Sequence, residues 1–431
     1  MEFKFKDQFS LGVAAAATQI EGGECDHNWN DWYRQGRIKD QSNPTKATKH
    51  YDLWKQDAQL MAEMKISNYR LGLEWARICP KEGEVDEAAV AHYREELIYL
   101  REQGISVLLT IHHFTNPMWF ERKGGFTKKE NLQYFLDFVA LVVEAYGDIV
   151  SEYITINEPN VYATNSYYFG EWPPGEKSIR KAFQVMSNMT ICHIKAYQLI
   201  HCKRRELGFS DTKVSFANHV RVFDAENPKK LWHRSCARIL ERLFQGAVTE
   251  AMMTGRMKWP LKRSKEVSRG EYCDFIAINY YTRTTVSGFG DGVKQDAPKN
   301  DLGWEIYPEG LLRCAGKLYQ LLERPIYITE NGTCDNQDQF RCKFIYDHLK
   351  AIRTSELPIL RYYHWCFCDN FEWVEGESAR FGLVYVKYDT QERTIKESGR
   401  FYTGMIEQNG VTEELYKQYV EPQKYKYSSI V

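Results

Sequence analysis

The sequence has no stretch of about 18 consecutive apolar residues, the length needed to cross a bilayer. Its charged start, MEFKFKDQF, lacks the apolar core of a secretion signal. Positive charge is not in excess: 57 Lys and Arg stand against 58 Asp and Glu, a formal net charge of −1. That balance excludes the basic footprint of a nucleic-acid binder and the polybasic patch of a membrane-surface protein. Cysteine occurs eleven times, but never as a CxxC pair and never with the His/Cys spacing of a structural zinc site. An odd, scattered set of this kind reads as free thiols in a reducing, cytoplasmic setting. The 13 prolines are spread out, and no Pro/Gly/Ser-rich break divides the chain. One domain over residues 1–431 is therefore expected, since α/β barrels often reach this length undivided.

The hydrophobic fraction is 43%, enough for a large core and too high for a disordered chain. Aromatic residues make up 14%, with 11 Trp and 28 Tyr. They serve a core equally well or supply flat platforms for sugar C–H faces.

Eight short apolar runs alternate with helical patterns. The runs are 10–15, 66–72, 106–111, 152–156, 213–218, 275–279, 325–329 and 359–365. The helices show in Trp54, Ala58, Met61 and Met64, in Val90, Tyr93, Leu97 and Leu100, and in Leu132, Phe135, Leu136, Val139, Val142, Val143 and Tyr146. Eight strands separated by helices predict an α/β fold with a parallel sheet, closed as a (β/α)8 TIM barrel. An open dinucleotide-binding sheet would want a Gly-rich fingerprint after its first strand, where the chain reads Gln19-Ile20-Glu21-Gly22.

Barrel enzymes carry their chemistry at the C-terminal ends of the strands. Polar residues collect where the runs stop: Arg70, His112 and His113, Asn157 and Glu158, Asn279 to Tyr281, Glu330 and Asn331, then Trp365 with Asp369, Asn370 and Glu372 behind it. A single Glu after a strand is ordinarily a capping or loop residue. Two of them, Glu158 in YITINEPN and Glu330 in IYITENG, on the fourth and seventh strands of one barrel, suggest the paired carboxylates of glycoside hydrolysis. One must be protonated to assist the leaving group, and the other must be charged to attack the anomeric carbon.

These residues carry a family likeness. From FSLGVAAAATQIEG to RFGLVYV the chain resembles glycoside hydrolase family 1, retaining β-glucosidases and β-galactosidases built on (β/α)8 barrels. The resemblance implies that Glu330 of ITENG is the nucleophile and Glu158 of TINEP the general acid/base. It further implies sugar-binding roles for Gln19, His113, Asn157, Asn279, Tyr281, Trp365, Glu372, Trp373 and Phe381, with Arg70 and Tyr281 supporting the nucleophile. It implies neither cofactor nor metal, a small-molecule β-glycoside or oligosaccharide as partner, and compatibility with a homo-oligomer. A nucleophile route predicts about 5–5.5 Å between the carboxyls and a retained anomeric configuration. Arg70 and Tyr281 should favour the ionised form of Glu330, and Glu158 should hold its proton until Glu330 is glycosylated.

The chain departs from the family pattern at His112-His113-Phe114, at Thr115, at Asn160 and at Cys366-Phe367, all around the aglycone side. His112 is expected to pack or orient, and Trp172 to serve as platform or loop anchor. Relatives that act on 6-phosphoglycosides carry a Ser in place of the Glu-Trp pair and a Lys seven residues on. Here those positions hold Glu372 and Ala379, a carboxylate that repels phosphate and a side chain without charge. Unphosphorylated β-glucosides are therefore expected, with β-galactosides and β-fucosides secondary. The rivals are a 6-phospho-β-glycosidase, a transglycosylase on the same covalent intermediate, a non-catalytic sugar-binding relative and a metal-dependent barrel hydrolase.

Overall fold

The computed structural model describes residues 2–290 and 292–427. Eight parallel strands close into a barrel in chain order: β1 (Ser10–Ala14), β2 (Asn68–Gly72), β3 (Ser106–His112), β4 (Glu152–Asn157), β5 (Lys213–His219), β6 (Ile276–Asn279), β7 (Ile326–Asn331) and β8 (Ile359–Trp365), with β8 pairing back onto β1. The expected runs coincide with them. β2 and β6 start slightly late, while β3, β4, β5 and β7 run on into polar residues at their C-terminal ends. Those extensions need no apolar side chains, because backbone pairing alone carries them.

A helix follows each strand: α1 (His50–Glu63), α2 (Glu87–Glu102), α3 (Leu132–Tyr146), α4 (Ile179–Glu206), α5 (Leu231–Glu241), α6 (Pro308–Leu321), α7 (Arg341–Thr354) and α8 (Glu397–Glu407). The stripes seen in the sequence face the barrel: Trp54, Ala58 and Met61 on α1, Tyr93, Leu97 and Leu100 on α2, and Phe135, Val139, Val142 and Val143 on α3 are buried. Asp86 caps α2 by accepting the Ala88 and Ala89 N–H groups at 2.9 and 3.0 Å. Among the described residues, no helix is long and apolar enough to cross a membrane. All eleven cysteines are free.

The two ends of the barrel differ in chemistry. At the N-terminal end Glu152 of β4 binds the Arg361 guanidinium of β8 in a two-pronged pair and accepts from Lys213 of β5 at 3.1 Å and Tyr327 of β7 at 3.4 Å. This ionic plug closes the bottom. At the C-terminal end the pairing loses regular register beside Asn157 and beside Glu330. Such irregularities re-aim side chains at functional rims.

Candidate active site

Glu330, near the end of β7, is buried and doubly held. Tyr281 donates its hydroxyl to Oε2 at 2.6 Å, and the Arg70 guanidinium on β2 grips Oε1. Arg70 is fully buried and fixed on its other edges by Thr110 Oγ1 at 3.0 Å and Asn157 Oδ1 at 2.6 Å. One guanidinium thus spans the barrel from Glu330 to the residue preceding Glu158.

Glu158 lies just beyond β4 in a left-handed conformation, φ 43°, and Pro159 behind it opens a short helix. A non-glycine residue pays roughly 1–3 kcal/mol for that conformation, which concentrates at functional positions. Phe114 and Trp373, also on the wall, share it at φ 68° and 49°. Asn279 donates to Glu158 Oε1 at 2.8 Å, and His219 Nδ1 lies 3.5 Å from the same oxygen. Asn279 also reaches Asn157 Oδ1 at 3.0 Å and accepts from Thr329 at 2.7 Å.

Glu158 and Glu330 line one cavity of about 550 Å³, together with His113, Tyr281, Trp365, Glu372, Trp373 and Phe381. Arg70, Asn157 and Asn279 sit just behind that wall and orient it. Gln19 donates to Glu372 Oε2 at 3.2 Å, to Asn370 Oδ1 at 3.1 Å and to the Phe371 carbonyl at 2.9 Å. Trp365 Nε1 donates to the same Glu372 oxygen at 3.4 Å. Asn157 donates to His113 Nε2 at 2.9 Å. Every residue to which the family resemblance gives a catalytic, supporting or sugar-binding role therefore lies on the cavity or in hydrogen-bond contact with a residue that does, whereas His112, Asp369 and Asn370 do neither.

Three carboxyls, those of Glu158, Glu330 and Glu372, face this pocket, and the Arg70 guanidinium lies against Glu330. Burial pushes Glu330 up to about 7, against the pull of Arg70 and with a further push from Glu158; the Tyr281 hydroxyl pulls it back. Burial pushes Glu372 up to about 8, moderated by Trp365 and Gln19 and reinforced by Glu330 and Glu158. Burial, then the charge of Arg70, holds His113 well below its usual value, so it is neutral; with Nε2 accepting from Asn157, Nδ1 carries the hydrogen and is free to donate.

His112 is buried, bonded to Asn116 at 2.9 Å and set against Phe126 and Tyr162. Trp172 lines the cavity and also packs on Trp29, Phe114 and Trp373. His219 and Trp304 were not anticipated. His219 ends the fifth apolar run, where the strand-end rule applied to the other runs would have found it. Trp304, edge-on to Tyr281 at 5.9 Å, comes from a loop with no periodic signal.

A closed parallel barrel with two acids on one cavity at its C-terminal end is the arrangement expected of a glycoside hydrolase. Residues 1–411 match the family model described as Glycosyl hydrolase family 1, and the chain belongs to that family. It is 30% identical to Beta-glucosidase A of Thermotoga maritima, covering 95% of this chain and 99% of that one. It is also 30% identical to Beta-glucosidase A of Acetivibrio thermocellus, covering 94% and 99%. Among solved structures, a beta-glycosidase from Pyrococcus horikoshii superposes with a TM-score of 0.87 at 33% identity, over 98% of this chain and 99% of that one. The Thermotoga maritima beta-glucosidase in complex with deoxynojirimycin superposes at 0.85 with 29% identity, over 95% and 100%.

Proposed function

We propose that this chain, as one catalytic domain, is a retaining exo-β-glycosidase that removes terminal β-D-glucosyl residues, with β-galactosyl and β-fucosyl residues as secondary substrates. The observation that carries the reading is the placement of Glu158 and Glu330 on one cavity, each held by a different set of donors. Its β-glucosidase relatives support the choice of sugar.

In the first step the Glu330 carboxylate attacks the anomeric carbon. The bond to the aglycone oxygen breaks, and Glu158 gives that oxygen its proton. Arg70 on Oε1 and Tyr281 on Oε2 fix the orientation of the Glu330 carboxylate, and each oxygen retains a further lone pair for the attack. With Glu330 esterified its negative charge is gone, and Glu158, now ionised, takes a proton from water as the water attacks the same carbon. The ester bond breaks, the sugar leaves with its original configuration, and both acids return to their starting states. Gln19, His113, Asn157 and Glu372 supply donors and acceptors for the hydroxyls, and Trp365 supplies a platform. Neither Glu372 nor Ala379 offers a cation to a phosphate dianion, which favours unphosphorylated sugars.

A panel of nitrophenyl β-glycosides, phosphorylated and not, with NMR of the first-formed anomer, tests this reading. The β-anomer of glucose should appear first; an α-anomer, or a preference for the 6-phosphoglucoside, overturns it. Glu330→Ala should lose activity on the order of 10⁴-fold or more, and azide should restore part of it with an inverted glycosyl azide as product.

A further inference from the structure

The cavity is lopsided. Its carboxyls, His113 and the Tyr281 hydroxyl gather at the ends of β3, β4, β6, β7 and β8, whereas farther along the loops after β4, β5 and β6 build a wall of apolar side chains: Tyr168, Phe169, Ile179, Phe244 and Phe289. Two π-helical turns, Asn165–Phe169 and Arg242–Gly246, carry part of it. Several of the polar side chains on this flank are engaged by the protein itself. Thr164 donates to the Asn160 carbonyl at 2.8 Å, Thr282 to the Glu305 carbonyl at 2.9 Å, and Arg221 lies over the Phe244 ring at 4.5 Å while donating to Thr284 at 3.2 Å. A second sugar would find few groups here for its hydroxyls.

The wall continues out of the cavity. Tyr168, Phe169, Ile179 and Phe289 are 46%, 50%, 50% and 61% exposed, and Trp232, 56% exposed, packs edge-on against Phe289 at 5.5 Å. Exposed apolar surface that is continuous with a binding cavity marks a ligand path. Resting on the function proposed above, we infer that the aglycone is an unbranched apolar chain, so that the substrates are amphiphilic β-glucosides whose tail runs from Glu158 along this wall to the Phe289–Trp232 pair.

The test is kcat/KM for alkyl β-glucosides from methyl to octyl, below their micelle concentrations, beside cellobiose. The constants should rise roughly twofold per methylene, on the order of 100-fold from methyl to octyl, with octyl glucoside well above cellobiose. In the double variant Phe289→Ser/Trp232→Ser the gain over the longer homologues should shrink, so that the octyl-to-methyl ratio falls several-fold; circular dichroism confirms that it folds. A flat series with cellobiose preferred overturns the inference and leaves the glucosidase reading intact. A flat series accompanied by cosedimentation with phosphatidylcholine vesicles also overturns it, in favour of a lipid-surface role for the rim. No hydrolysis of any β-glucoside, with the nitrophenyl substrates included, overturns the glucosidase reading and the inference with it.

Discussion

In the proposed mechanism Glu330 must be ionised to attack, and its surroundings pull both ways. Burial raises it, the charge of Glu158 raises it further, and Arg70 and Tyr281 lower it. The acid limb of the pH–rate profile belongs to this coupled set. Glu158→Gln, assayed on a dinitrophenyl glucoside whose leaving group needs little protonation, should therefore move the acid limb of kcat/KM to lower pH. Tyr281→Phe should move it to higher pH. Shifts in the opposite directions would refute the account of how the pocket charges its nucleophile. At this scale the sequence was highly legible, because the acids sit in short motifs at strand ends. The contacts that tune them were not. Arg70 and Glu330 are separated by 259 intervening positions, and nothing local to either announces that their side chains meet.

At the scale of elements, the eight strands were readable from short apolar runs and the helices from three- and four-residue steps. What escaped were features set by pairing across the barrel: the register breaks beside Asn157 and Glu330, the extension of the strands into their polar ends, and the plug at the bottom. Glu152 opens β4 with no motif around it, yet it ties β4 to β5, β7 and β8. Removing one partner of a largely buried ion pair leaves the other uncompensated. Glu152→Ala should cost about 2–3 kcal/mol in urea unfolding, while kcat/KM at 25 °C stays close to that of the parent. A large loss of kcat with unchanged stability would show that the plug reaches the chemistry.

For the whole molecule, buried titrating groups oppose each other in two pH windows. Burial holds His27, His112, His113, His193, His348 and His364 below the ordinary 6.5. Their folded forms bind fewer protons than the unfolded chain, so they add stability as pH climbs toward 6.5. Glu74, Glu121, Glu330, Glu372 and Glu377 are raised by burial to between about 7 and about 8 from an ordinary 4.5, and their folded forms hold more protons. They remove stability as pH climbs from 4.5 through 8. His50, despite burial, is held up to about 10 by Glu96 and Asp57, and its contribution fades above 6.5. Below 6.5 the two sets largely cancel, and above it all act in one direction. The melting temperature should peak near pH 6.5 and fall toward pH 9, and Glu372→Gln should flatten the fall between 6.5 and 8. A melting temperature that climbs steadily to pH 9 would contradict this balance.

The guanidinium strung between Glu330 and Asn157 has an implication for how such a molecule can change over generations. Because a single strut sets the spacing of both reacting acids, almost any alteration near it disturbs the two halves of the reaction at once. Natural variation has little freedom there. The outer parts of the loops after β4, β5 and β6, which carry Tyr168, Phe169, Phe244 and Phe289, hydrogen-bond to neither end of the strut, and they can drift toward new leaving groups while the two acids of the proposed mechanism stay as they are.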